Sequence, residues 1–267
     1  MDNRAIGVFD SGVGGLTAVK ELKRLLPNED IVYFGDTGRV PYGTRSRETL
    51  ISYIKQDLNF LKKQNVKMIV AACGTVSATV TSEILKELDV PFTGVVLPTA
   101  KRAIECSKSG KIGVIGTNAT VSSGAFEKAI KSFEKSAEVV SKPCPLFVPL
   151  VENGLLENEI TTLTAEMYLK DLKDIDTLIL GCTHFPIIKD TIQKVVGEKV
   201  QLIDSGKAVA EFVRDFLSEN DMLASGGKQG VCRYYVSDST ESFSNTAEMF
   251  LGEKVGENAQ RIEIEGF

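Results

Sequence analysis

The sequence predicts an α/β protein made of two similar αβ domains with mainly parallel sheets, related by a pseudo-twofold axis, with an active site in the cleft between them. Three observations carry this reading. Short, almost wholly apolar runs alternate with helix-patterned segments, the signature of strands buried on both faces of a parallel sheet. A strand-and-turn opening, Ile6-Gly7-Val8-Phe9-Asp10-Ser11-Gly12, is echoed by Ile112-Gly113-Val114-Ile115-Gly116-Thr117-Asn118. A strand that delivers a cysteine and then a threonine occurs twice, as Ile69-Val70-Ala71-Ala72-Cys73-Gly74-Thr75 and Leu178-Ile179-Leu180-Gly181-Cys182-Thr183-His184. The two echoes keep one order and nearly one spacing, so the chain reads as two halves of like topology.

In chain order, Ile6 to Phe9 is a first buried strand. The turn Asp10 to Gly15 leads into a helix with Leu16, Val19, Leu22, Leu25 and Leu26 inward, stopped at Pro27. This turn is no dinucleotide fingerprint, because Thr17 stands where the third glycine of GxGxxG would fall and Asp10 would repel a pyrophosphate. Ile31 to Gly35 is a strand, Asp36 to Gly43 a polar loop stiffened by Pro41, and Arg47 to Leu61 a helix. The N–H groups of Tyr42 and Gly43 in that loop suit an anion. Lys67 to Ala72 is the first cysteine-bearing strand, Thr75 to Leu88 a helix, Phe92 to Val96 a strand, and Pro98 opens the next helix.

The second half restarts at Lys111. Phe126 to Phe133 is helical, Ala137 to Val140 a strand, and Pro143-Cys144-Pro145 through Pro149 an irregular connection; helical segments around Leu155 and from Ile160 to Leu172 follow. Thr177 to Leu180 is the second cysteine-bearing strand, Pro186 suits the first turn of a helix ending at Gly197, and Val200 to Ile203 is a strand. The tail has a helix (Val209 to Leu217), a loop at Ser225-Gly226-Gly227-Lys228, a strand (Val231 to Val236), a helix (Phe243 to Leu251) and a last strand near Ile262 to Ile264. It has no counterpart elsewhere and is expected to pack back on one half.

Composition narrows the function. A chain of 267 residues buries roughly three quarters of its extended surface and needs no staples. Its five cysteines are odd in number, scattered and without CxxC spacing, which argues against a disulfide framework and fits a reducing cytoplasm. A formal charge of −5 with interleaved signs gives no footprint for nucleic acid. No run approaches the ~20 apolar residues of a membrane span, and the opening apolar stretch is too short for a signal peptide. A soluble cytoplasmic protein that meets neither nucleic acid nor membrane is expected.

Ligands of parallel α/β sheets bind beyond the carboxyl ends of the strands. Asp10, Ser11, Cys73, Thr75, Thr117, Cys182, Thr183 and His184 all lie at such ends, on one rim. A cysteine's pKa of ~8.5 falls at a helix N-terminus or beside a cation; both thiols are expected to meet the first condition, and His184 to tune Cys182 further. Cys106, Cys144 and Cys232 stand in no repeated frame and read as inert core residues. Zinc held by Cys73, Cys182 and His184 lacks a fourth ligand and familiar spacing, so no metal is expected.

Two opposed thiols suit removal of a proton from one face of a stereocentre and return of another to the opposite face, with roles that reverse for the mirror-image substrate. That symmetry is what a racemase requires. Ser11, Thr75, Thr117, Thr120 and Thr183, with the N–H groups of Tyr42, Gly43 and Gly74, are candidates to bind carboxylates. Neither a phosphate loop nor a Schiff-base lysine stands at the rim, so chemistry without pyridoxal phosphate or another cofactor is inferred.

At these residues the chain resembles the glutamate racemases of the cofactor-independent aspartate/glutamate racemase superfamily. The likeness runs nearly end to end, through FDSGVGGLT (Phe9 to Thr17), DTGRVPYG (Asp36 to Gly43), ACGTVSA (Ala72 to Ala78), IGVIGTNAT (Ile112 to Thr120) and GCTHFP (Gly181 to Pro186). It implies Cys73 and Cys182 as proton donor and acceptor, assisted by Asp10 and His184. It implies substrate contacts at Asp10, Ser11, Pro41, Tyr42, Gly43, Gly74, Thr75, Thr117, Thr120, Thr183 and His184. It also implies a discontinuous first domain of residues 1–97 plus 207–267 around a second of 98–206, a homodimer, and D-glutamate made for peptidoglycan. In one departure, Gly74 stands where the family usually has asparagine, so a substrate-bonding amide is replaced by a backbone N–H alone. Two other classes stay open at this point: a cysteine hydrolase with Cys73 as nucleophile and His184 as base, and a ligand-binding relative without activity.

Overall fold

A computed structural model of the chain describes residues 1–255 and 258–267. The first half runs β1 (Ile6–Asp10), α1 (Leu16–Leu25), β2 (Ile31–Gly35), α2 (Arg47–Lys63), β3 (Met68–Ala71), α3 (Gly74–Thr79), α4 (Ser82–Leu85) and β4 (Phe92–Gly94). The second runs α5 (Val96–Cys106), β5 (Lys111–Gly116), α6 (Asn118–Ser122), α7 (Ala125–Phe133), β6 (Glu138–Pro143), α8 (Phe147–Glu152), α9 (Glu159–Leu169), β7 (Thr177–Leu180), α10 (Lys189–Val196) and β8 (Gln201–Asp204). The tail adds α11 (Ser205–Glu219), β9 (Cys232–Val236), α12 (Thr240–Leu251) and β10 (Ala259–Arg261).

Two parallel sheets result, ordered β10-β9-β2-β1-β3-β4 and β6-β5-β7-β8. Within each half the second strand lies beside the first, then come the third and fourth, so the repeat heard in the sequence is a repeat of strand order. The tail's β9 extends the first sheet by pairing with β2. Side chains alternate across each strand: Ile6 and Val8 of β1 enter one core and Phe9 the other, and in β7 Leu178 and Leu180 oppose Ile179. Both faces of both sheets are therefore covered, as the uninterrupted apolar runs require.

The chain passes between sheets at the first turns of α5 and α11, and these helices pack on each other while α11 also packs on α1. Fully buried Lys67, at the entry to β3, pairs with Glu29 and donates to the carbonyls of Asp2 and Met222. That cation ties the segment after α11 to the first sheet, and its three oxygen partners make its burial tolerable.

Several elements differ from the sequence reading. The helix expected over Thr75 to Leu88 is broken into α3 and α4 because the β-branched Val80 and Thr81, which follow Thr79, leave helical backbone. The strand at Phe92 ends at Gly94, and α5 begins at Val96 with Pro98 inside its first turn. Leu155 is not helical; α8 instead forms in the expected irregular stretch, since Pro149 sits in its first turn, where a missing N–H costs nothing. Phe185–Ile188 is a 3-10 turn ahead of α10. The final strand is Ala259–Arg261, and Ile264–Gly266 is a 3-10 turn whose Ile264 fills the core.

Candidate active site

Strand register sets the site. β1 and β3 pair up to Phe9↔Ala71, and the ladder continues through Ala72 N–H donating to Phe9 O (2.9 Å), which brings Ser11 level with Cys73. β5 and β7 pair up to Ile115↔Leu180, and Gly181 N–H donates to Ile115 O (2.7 Å), which brings Thr117 level with Cys182. Each thiol thus leaves the third strand of its half, one residue past an equivalent hydrogen bond, beside a hydroxyl from the first strand. For Ser11 Oγ and Cys73 Sγ the separation is 3.5 Å.

Both thiols line one cavity of about 370 Å³ between the halves. Of the expected residues, Ser11, Pro41, Tyr42, Gly43, Gly74, Thr75, Thr117, Thr120, Thr183 and His184 line it too. Asp10 does not; it lies beneath the floor, 1% exposed. The halves touch here. Thr75 Oγ1 is 3.0 Å from Thr117 Oγ1 and 3.3 Å from Thr120 Oγ1, and Thr17 Oγ1 is 3.2 Å from Thr183 O. Gly14, Gly43 and Gly74 face the opposite half so closely that a Cβ on any of them would meet it, at Thr183 and His184, Thr117, and Gly181 respectively.

The two thiols have different surroundings. Burial, then the nearby Asp10 carboxyl, pushes the Cys73 thiol up to about 12, outweighing the hydrogen bond from Ser11. The lowering expected from the N-terminus of α3, whose cap Cys73 is, does not prevail, because desolvation is larger and α3 is only a turn and a half long. Cys182 lacks an α-helix N-terminus altogether, being followed by the 3-10 turn. Its partner is His184, with Sγ to Nδ1 at 4.0 Å. Asp10 accepts from Gly12 N–H (2.9 Å) at Oδ1, while its buried Oδ2 has no partner among the described residues. Burial raises this carboxyl above its ordinary range and His184 pulls it back.

Glu152, at the end of α8, was not singled out from the sequence. Its Oε1 lies 2.9 Å from His184 Nε2. Burial alone would lower His184, but its hydrogen bonds to Cys182 and Glu152 override this and raise it from 6.5 to about 10. Interactions of the imidazolium are therefore fully present below pH 6.5 and lost as the pH climbs through about 10. Because this is the chain's single histidine, its ring resonances are unambiguous in a titration followed by NMR. Glu152→Gln is expected to lower that midpoint by about one unit, the effect of removing an adjacent opposite charge; an unmoved midpoint would exclude Glu152 as its partner in solution. The signal for Glu152 was the buried pair Phe147 and Val151 at helical spacing, masked by three prolines. Asn118, Pro145, Val148 and Pro149 also line the cavity and were not anticipated.

Tyr42 lines the cavity, and its hydroxyl is in a buried contact with Asp36 and Asp57. Among the described residues no set of three or more His, Cys, Asp and Glu side chains is placed to hold a metal ion, and no helix is long and apolar enough to cross a membrane.

Comparison with known proteins places this geometry in a family. The Asp/Glu/hydantoin racemase model matches residues 14–213. The glutamate racemase of Geobacter metallireducens is 46% identical over 256 residues, covering 95% of both chains. That of Streptococcus gordonii is 48% identical over 260 residues, covering 96% of this chain and 97% of the other. The crystal structure of glutamate racemase from Francisella tularensis in complex with D-glutamate superposes with a TM-score of 0.92 at 39% identity, covering 100% of each chain.

Proposed function

The chain is an enzyme of the aspartate/glutamate/hydantoin racemase family, and on that premise we propose that it interconverts L- and D-glutamate without a cofactor, Cys73 and Cys182 being its two bases. The observation that carries the reading is that both thiols, delivered by equivalent strands of the two halves, line one cavity.

In this mechanism one thiolate removes the α-proton from one face while the opposing thiol protonates the other face, and the roles exchange in the reverse direction. Cys73, held up to about 12, starts as the proton donor at neutral pH. Protonated His184 stabilises the thiolate form that Cys182 takes when it acts as base, and Glu152 orients the ring through Nε2. Asp10 is buried and its charge acts on Cys73, so it is the group that receives or returns a proton when Cys73 changes role. Carboxylates of the substrate are held by the hydroxyls of Ser11, Thr75, Thr117, Thr120 and Thr183 and the backbone N–H groups of Tyr42, Gly43 and Gly74, with Pro41 shaping the rim. Closure of the halves over the cleft excludes water and strengthens these donors as carbanion charge develops.

The same resemblance supports three further readings: domains of 1–97 plus 207–267 and 98–206, a homodimer, and cytoplasmic supply of D-glutamate for peptidoglycan. The activity is tested by incubating L-glutamate with the pure protein in heavy water, free of pyridoxal phosphate. The circular dichroism of glutamate is expected to decay to zero, with deuterium entering the α-carbon of both enantiomers. Ammonia released from an amide substrate instead, or binding without exchange, would overturn the assignment in favour of a hydrolase or a silent relative.

A further inference from the structure

Behind the loop that carries Tyr42 and Gly43 lies a cluster of charges that the proton transfers do not use. Asp57 occupies a position on the apolar stripe of α2, among Leu50, Ile54, Leu58 and Leu61, and like Asp36 its side chain is wholly buried. Arg39 donates from Nε to Asp36 Oδ2 (2.6 Å) and from Nη2 to Asp57 Oδ1 (3.1 Å). Ser237 Oγ donates to Asp36 Oδ1 at 2.7 Å. Tyr42 Oη is within hydrogen-bond reach of Asp36 Oδ2 and also of Asp57 Oδ2, the latter at 3.2 Å.

Counting protons exposes a shortfall. A phenol has one proton and carboxylates have none. With both acids ionised, either Asp36 or Asp57 would present an oxygen to a Tyr42 lone pair, and one guanidinium would face two buried negative charges. A single added proton resolves both. Placed on Asp57 Oδ2, it is donated to Tyr42 Oη, Tyr42 donates its own to Asp36 Oδ2, and Asp36 with Arg39 forms a balanced pair.

We propose that Asp57 keeps this proton in the resting protein and, by donating it to Tyr42, is the positioning residue that fixes the Tyr42–Gly43 loop against the cleft. The groups facing Asp57 are Asp36, Arg39 and Tyr42, with Asp10 farther off. Burial and then Asp36 push its carboxyl well above the ordinary range, against the pull of Arg39. Burial, Asp57 and Asp36 also raise the Tyr42 phenol, which stays an O–H donor. The positioning role rests on the reading of that loop as a substrate contact; the proton does not.

Two measurements test it. Infrared difference spectra of the parent against Asp57→Asn are expected to show a carboxylic-acid carbonyl band that shifts in heavy water and is missing from the variant. In kinetics, Asp57→Asn, whose amide reproduces both donor and acceptor, is expected to keep the KM for L-glutamate within about twofold. Asp57→Ala is expected to raise it about tenfold with a smaller change in kcat, the effect of an unpaired buried hydroxyl behind the loop. A missing acid band in the parent, or a band that survives in Asp57→Asn, would overturn the proposal, as would an Asn variant as impaired as the Ala variant. If Asp57→Ala does not fold, the spectra and the Asn variant decide; if the chain does not turn over glutamate, the spectra still decide the proton.

Discussion

Cys73→Ser and Cys182→Ser are each expected to lower kcat/KM for racemisation by about 10²- to 10⁴-fold, in both directions, because a serine hydroxyl is too weak an acid to serve as either base or donor. The loss is symmetric in rate but not in what survives. When one thiol is removed, the other can still take the α-proton from its own face and return a solvent-derived one to that face. Cys73→Ser is therefore expected to exchange deuterium into one enantiomer of glutamate without inverting it, and Cys182→Ser into the other. This pattern distinguishes two opposed bases from a single nucleophile, since a hydrolase that uses only Cys73 would be untouched by loss of Cys182. Racemisation retained by both variants, or exchange of the same enantiomer by both, would refute the two-base mechanism. Neither side chain is a packing anchor of comparable weight: each is small and 7% exposed at the cavity wall, so the folded state tolerates the change.

The features that the sequence made legible are those written in short-range pattern. Runs such as Ile6 to Phe9 and Thr177 to Leu180 are uninterrupted because both sides of each sheet are covered, and the paired cysteines fall at strand ends because the strand order repeats. What escaped depends on contacts between distant segments. The hydroxyl of Tyr42 turns inward to Asp57, a residue of another element that reads from sequence as one polar position in an apolar stripe. Glu152 enters the site only because α8 folds under three prolines and ends beside His184. The Cys73 thiol lies above, not below, its ordinary range for a related reason: the strand-to-helix turn is visible in the sequence, but the depth of burial and the influence of Asp10 are not. Gly74 was legible as a departure from the family pattern, yet its meaning comes from the opposite half of the molecule.

That meaning yields the second large effect. A Cβ at residue 74 would stand 2.3 Å from the backbone oxygen of Gly181, which directly precedes Cys182. Gly181 directly follows strand β7 and its N–H is bonded to Ile115 O, so this backbone cannot swing aside as a side-chain tip would. Any side chain at 74 must therefore push the start of α3 in one half away from Gly181 in the other, at positions adjacent in sequence to the two thiols. Misplacement of reacting groups by about 1 Å is enough to cost about 10²-fold in rate. Gly74→Ala is accordingly expected to lower kcat/KM by about 10- to 100-fold, with a rise in KM as the Thr75, Thr117 and Thr120 hydroxyls separate. Gly74→Asn is expected to do so as well, while leaving the reaction a racemisation. Small-angle scattering should report a more open particle for Gly74→Ala. Gly226→Ala, where a Cβ meets nothing within 4 Å among the described residues, should match the parent in both measurements. A fully active Gly74→Ala protein with an unchanged scattering profile would show that the halves do not close as far as this contact in solution. Because the equilibrium constant between enantiomers is one, kcat/KM falls equally in both directions whatever the cause, so it is the scattering profile, and not the direction of the reaction, that separates a widened cleft from a lost substrate contact.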